Sequence, residues 1–224
     1  MDNLELYLKP TEVIDSEHET IQTMAEQLTH DCVSEVEKAI KLFYFVRDSN
    51  RYNAYMISVA LEDFQASTVL ARGKGYCVQK AVLLTALGRA AKIPSRLCFA
   101  KIKNHRMSAH LRERIGTNIL TRHGYNQFFL NGKWLSAAAT FDRELCKKNR
   151  FRMVEFDGIH DAILPKTDLN DHPHIEYLEK YGPQADLPLE WIAKEISRIW
   201  GPGKRAWLSE DDSKSYNMPL SSME

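Results

Sequence analysis

Three residue types able to carry covalent acyl chemistry follow one another along this chain: Cys77, in Gly73-Lys74-Gly75-Tyr76-Cys77, then His123, then Asp142. A thiol attacks as its thiolate. Cys77 stands directly before a long apolar run with helical spacing, and the amides of a helix's first turn carry partial positive charge that favours the thiolate. An imidazole beside it can hold that thiolate as an ion pair and later protonate a leaving group. A carboxylate can fix the ring's tautomer and orientation. The order therefore predicts attack on an amide, ester or thioester carbonyl. The Cys77 N–H would supply one oxyanion donor, with Tyr76 and Gln127 the residues considered for the second.

The elements that must position these groups are legible to different degrees. Asp15 and Ser16 suit the start of a helix with Ile21, Met24, Ala25 and Leu28 on one face, and Asp31 or Ser34 the start of a second ending near Asp48-Ser49-Asn50. Residues 51–70 are mixed, with a short helix over 61–64. The helix from Cys77 to about Ala91 is apolar on nearly all sides, which predicts a buried central position. Ile93-Pro94 stops it, and 95–102 alternates as a strand. A short helix over 109–114 sits in a basic stretch (Lys101, Lys103, His105, Arg106, His110, Arg112, Arg114) that reads as a solvated loop.

Asn131-Gly132 is the strongest hairpin signal in the chain, joining strands over 125–130 and 133–140. In a two-residue loop Leu130 pairs with Lys133. Extending that register sets His123 opposite Thr140, with Ala138 and Asp142 as its diagonal neighbours. Tyr125, Gln127, Phe129, Trp134 and Ser136 share the same face, so Tyr76, Tyr125, Gln127 and Trp134 are the predicted substrate-binding residues. A further strand is expected over 151–156, a last helix over 188–200, and a β-like start at Leu4 to Leu8. Helices first and strands later predict α+β with an antiparallel sheet. One domain is expected over 1–203, with its motif-bearing core at 40–160 and a polar tail over 204–224.

With 224 residues, 44% hydrophobic and 27% charged, the composition is that of a globular protein. Thirty basic residues balance thirty acidic ones, so no global field favours nucleic acid or a membrane surface. The expected partner is a peptide-like or other small acyl substrate. Cys32, Cys77, Cys98 and Cys146 show no paired spacing, and Met1 to Tyr7 has no signal-peptide character. Both features suit a reducing cytoplasm. No cofactor or metal is expected: Gly73-Lys74-Gly75 lacks P-loop spacing, and His172-Pro173-His174 with Asp168 and Asp171 reads as a polar loop.

The cysteine block, together with Ile93-Pro94-Ser95-Arg96, resembles the Gly-x-Cys helix and Gly-Ile-Pro-Ala-Arg segment of the transglutaminase-like superfamily, in particular its bacterial members. His123-Gly124-Tyr125-Asn126 through Asn131-Gly132-Lys133-Trp134 is similar to that family's His-Ala-Trp or His-Ala-Tyr strand and Gly-x-Trp return. Phe45-Val46-Arg47-Asp48 with Arg51-Tyr52 resembles its lead-in helix. The likeness covers roughly residues 5 to 160. It implies a papain-type cysteine-proteinase fold, and a Cys77–His123–Asp142 triad performing acyl transfer or amide hydrolysis. Many members carry the third residue in an Asp-Pro-Thr sequence four positions after the Trp; here that position is Ala138. A subgroup reading Thr-Pro-x-Phe followed by Asp or Asn is closer, which implies Asp142 instead. A protein that has lost catalysis and binds a peptide or partner is the alternative that Ala138 favours. A tailoring acyltransferase acting on a carrier-bound thioester would use the same site.

Overall fold

The computed structural model describes residues 3–200, and the expected tail over 204–224 lies outside them. A 3-10 turn at Leu4–Tyr7 replaces the β-like start expected there. In chain order the elements are α1 (Glu19–Thr29), α2 (Glu35–Ser49), β1 (Arg51–Tyr52), a 3-10 turn (Leu61–Asp63), α3 (Ala66–Arg72), β2 (Lys74–Gly75), α4 (Cys77–Ala90), β3 (Ser95–Asn104), α5 (Ala109–Ile115), β4 (Ile119–Leu130), β5 (Lys133–Ala137), α6 (Arg143–Asn149), β6 (Ile175–Lys180) and α7 (Leu189–Trp200). The fold is α+β: helices in the first half, then an antiparallel sheet in the order β5-β4-β3-β6.

Helix α4 is the axis. Every residue from Cys77 to Arg89 is buried, as its apolar circumference predicts. Helices α1, α2 and α3 pack on one side of it and β4 on the other. Its polar side chains are satisfied inside the protein. The Lys80 ammonium donates to the Arg47 carbonyl (3.0 Å) and to the Asn50 carbonyl, so it caps the C-terminal end of α2. The Arg89 guanidinium donates to the carbonyls of Ser95, Lys9 and Ala185, tying three distant segments to the helix end.

The Asn131-Gly132 turn forms with both residues at positive φ (51° and 81°), matching the twist of the strands it joins. Leu130 faces Lys133, and the register runs outward to Asn126 facing Ala137. There the ladder stops. Ala138 donates its N–H to the Ala162 carbonyl instead, and Ala137 makes a parallel bridge with Ala162. The pairing of His123 with Thr140 therefore does not form. Residues 151–156 form no strand either; β6, over 175–180, takes the open edge of β3.

Two bulges flank the middle of β3. Ala100 faces His123 while Ile102 faces Leu120, so β4 carries an extra residue at Thr121-Arg122. Lys101 faces Glu179 while Ile102 faces Tyr177, so β6 carries an extra residue at Leu178. Such insertions bend the strand and re-aim the side chains beside them. Ala100, Ile102, His123 and Tyr177 consequently share one face of the sheet.

His174, just before β6, is fully buried between Phe151 (ring centroids 4.1 Å) and Phe141 (5.8 Å), and neither ring nitrogen has a hydrogen-bond partner among the described residues. Burial lowers its pKa from 6.5 to about 4. Between those values the unfolded chain takes up a proton that the folded one refuses, so stability falls as pH drops below 6.5. His174→Phe removes that proton without changing ring size much. Urea unfolding should show the variant losing about 2 kcal/mol less than wild type between pH 7 and pH 5.

Candidate active site

Cys77 is the first residue of α4, with Tyr76 as its extended N-cap. The start of the helix is fixed by Gln79, whose side-chain oxygen accepts from the Tyr76 N–H (3.1 Å) while its amide donates to the Asp63 carbonyl (3.0 Å). Asp63 is itself buried, accepting from the Ser58 hydroxyl (2.6 Å) and from Arg72 (2.8 Å). Gly73, at φ +64°, closes α3 just before, so the chain turns into the cysteine without a side chain at the turn.

The sulfur meets β4. The Gly124 N–H is aimed at it, joined by those of Cys77 and Val78 from the helix start, and all three favour the thiolate. A Cβ on Gly124 would lie 3.0 Å from the Val78 Cα, tight enough that the helix start would have to give by a few tenths of an ångström. His123, the residue before Gly124, lines the same cavity as Cys77. The structure thus sets Cys77 and His123 on the wall of one cavity.

Charge is disfavoured on both groups taken singly. Cys77 is 7% exposed and His123 2%. Burial raises the thiol to about 11 against those three N–H donors, and lowers the imidazole to about 4. Taken singly, each group thus favours its neutral form. In a low-dielectric site the two charges are tolerable only when created together, by moving one proton from sulfur to ring.

The cavity measures ≈ 90 Å³ and is almost wholly apolar. Tyr76 and Cys77 form its floor, Leu111 and Ile115 of α5 one wall, and Ile192 and Ile196 of α7 another. Helix α7 is anchored through Trp191, whose ring packs edge-on against Phe99 and lies under the Arg122 guanidinium, 3.6 Å from the ring centre. Arg122 also donates to the Trp191 carbonyl.

The predicted accessory residues divide. Tyr76 lines the cavity, and its buried hydroxyl has no hydrogen-bond partner among the described residues. Tyr125, Gln127 and Trp134 do not line it. Tyr125 is buried beside Cys98, and the Gln127 side-chain oxygen accepts from Arg96 (2.9 Å). Trp134 stacks under the same guanidinium, 3.8 Å from the ring centre, and packs against Tyr7 and Phe129. Gln127 and Trp134 share the face of His123 but lie toward the hairpin end of the strands, away from the cavity, while Asn126 and Phe128 point at α4.

Asp142 also departs from the expected arrangement. One carboxylate oxygen accepts from the Leu145 N–H (2.9 Å) as the N-cap of α6, and the other from the Tyr52 N–H (2.8 Å). No hydrogen bond joins it to His123 among the described residues. The cause is the end of the ladder at Ala137, after which the chain turns toward α6. Ala138 is a fully buried methyl. The group that does meet the imidazole is Tyr177 of β6, its hydroxyl 3.5 Å from His123 Nε2 and its ring edge-on to the imidazole (centroids 6.0 Å). Sequence reasoning missed it because Ile175-Glu176-Tyr177-Leu178-Glu179-Lys180 reads as a charged segment. The alternation of Ile175 and Tyr177 with glutamates was the available signal.

Asp142 is thus a clamp between α6 and β1, and Tyr52 in turn lines the cavity. Asp142→Ala should cost about 1–2 kcal/mol by thermal unfolding, the loss of a helix cap together with a buried acceptor. Asp142→Asn, which retains one acceptor, should recover most of that.

A scan of protein families matches the transglutaminase-like superfamily over residues 22–139. A search of curated proteins returned no match. Among solved structures, the fold is similar to a candidate cysteine protease from Cytophaga hutchinsonii, with TM-score 0.50 and 16% identity over 82% of this chain and 55% of that one. A candidate protease from Parabacteroides distasonis ATCC 8503 aligns with TM-score 0.42 and 20% identity, over 62% of this chain and 26% of that one. This chain therefore spans about half, or less, of the length of these neighbours. The cysteine-bearing α4, the histidine strand and the matched span agree, and the chain belongs to the transglutaminase-like superfamily.

Proposed function

We propose that this chain is a thiol-dependent, protease-like acyl-transfer enzyme working through a Cys77 acyl-enzyme, with His123 as its acid–base. The observation that carries this reading is the sulfur at the first turn of α4, facing the Gly124 N–H and sharing a cavity with the next residue back, His123. On binding of an amide, ester or thioester, the thiol proton passes to the imidazole and the sulfur bonds to the carbonyl carbon. The imidazolium then returns that proton to the departing amine, alcohol or thiol as the old bond breaks. Water or an amine resolves the thioester by the reverse sequence. The Cys77 and Val78 amides favour negative charge at this point, and the unpartnered Tyr76 hydroxyl offers an acyl oxygen a further donor.

The cavity narrows the substrate. Its apolar lining suits an aliphatic group beside the reacting carbonyl. Asp142 supports the reading indirectly, by holding Tyr52 in the cavity wall. The rival, a partner-binding domain without catalysis, draws support from Ala138 and from the burial that disfavours charge on either group alone.

Incubation with p-nitrophenyl acetate and p-nitrophenyl butyrate, followed by intact mass and peptide mapping, separates the two readings. An enzyme gains one hydroxylamine-sensitive acyl group on Cys77 and none on Cys98 or Cys146, whose thiols burial also suppresses. Cys77→Ala gains none, and His123→Ala acylates at least about 100-fold more slowly. Labelling spread evenly over the thiols, or unchanged in Cys77→Ala, would sink the enzyme reading.

A further inference from the structure

Resting on the Cys77–His123 reading, the geometry points to Tyr177 as the residue that positions the catalytic imidazole, in place of the carboxylate expected from β5 or α6. Three observations converge. The position where a hairpin partner would offer a carboxylate is Ala138, a fully buried methyl. Both oxygens of Asp142 are committed to the N–H groups of Tyr52 and Leu145. On the other side of His123, across β3, the Tyr177 hydroxyl lies 3.5 Å from Nε2.

This contact is built by the sheet. The bulges at Thr121-Arg122 and Leu178 bring His123 and Tyr177 onto one face on either side of β3. On β3, His123 faces Ala100, fully buried and only a methyl high, and Tyr177 faces Ile102, so the phenol reaches diagonally past the methyl. The hydroxyl is oriented from behind, because its oxygen accepts from the Leu164 N–H (3.3 Å). Tyr125, lying nearly parallel to the imidazole (15° between planes) and edge-on to the Tyr177 ring, closes the third side.

The chemical consequence concerns the tautomer. A phenol oxygen has two lone pairs, one taken by Leu164 and one free for Nε2–H. For Nδ1 to receive the thiol proton the ring must carry its own proton on Nε2, and the phenol oxygen is the acceptor placed there. When the imidazolium forms, the same oxygen goes on accepting from Nε2–H, so no partner changes during the step. Burial holds the phenol in its neutral form. The contact therefore orients the ring without adding the negative charge an aspartate would bring.

Cys77 alkylation by iodoacetamide from pH 5 to 10.5, followed by peptide mapping in the full-length protein, tests the assignment. Tyr177→Phe keeps the ring packing and removes the acceptor. It should react about tenfold more slowly than wild type near pH 7, the worth of one hydrogen bond to a charged group. The two should converge above pH 10, where the thiolate no longer depends on an imidazolium. In a His123→Ala background, Tyr177→Phe should change nothing further. The 15N shifts of the His123 ring should report Nε2–H in wild type and a tautomer mixture in Tyr177→Phe. A Tyr177→Phe profile identical to wild type, a deficit equal at all pH values, or an effect that persists without His123 would overturn the proposal. If wild type and His123→Ala already coincide near pH 7, the Cys77–His123 pairing fails, and this assignment falls with it.

Discussion

Everything in the candidate site depends on one close approach, between the first turn of α4 and the β4 backbone at Gly124. Helix N-terminus and strand come so near that a single Cβ would crowd the Val78 Cα. That proximity does two things at once. It aims a strand N–H at the sulfur of a residue whose own helix amides already favour negative charge. It also places the residue before Gly124, His123, beside the same cavity. A helix all of whose faces are buried is what holds the approach rigid, because α4 cannot shift without disturbing three helices and the sheet together.

Burial makes this a site with two electrical states. Dry surroundings penalise thiolate and imidazolium when either forms alone. The penalty is much smaller for the two charges formed side by side, and amides already in place need no rearrangement to meet them. A neutral thiol is also a slower target for adventitious oxidants than a standing thiolate.

The parts of this arrangement that were legible in the sequence are those with local causes. The circumference of apolar residues after Cys77 marked a buried helix, and Asn131-Gly132 set the hairpin and its first five pairs. Cysteine and histidine came together because each is tied to one of those two elements. What lay beyond local reach was decided by long-range competition for backbone groups. The hairpin register was extended past Ala137, but the Ala162 carbonyl captures the next N–H, and nothing near residue 138 announces a partner 24 positions on. Asp142 fell to its plainer role as a helix cap for the same reason. Strand β6 hid behind its glutamates and lysine, which suit the exposed edge of a sheet, and Tyr177 hid with it.

Ala100 carries a consequence for how such sites vary. A methyl in the middle strand keeps open a passage between the two outer ones, and any bulkier aliphatic there would wall the imidazole off from β6. Under the proposed role of Tyr177, a small residue at this one position is what lets the histidine be held from β6 instead of from β5. Residue 100, which touches no substrate and performs no chemistry, would decide from which side the histidine is held.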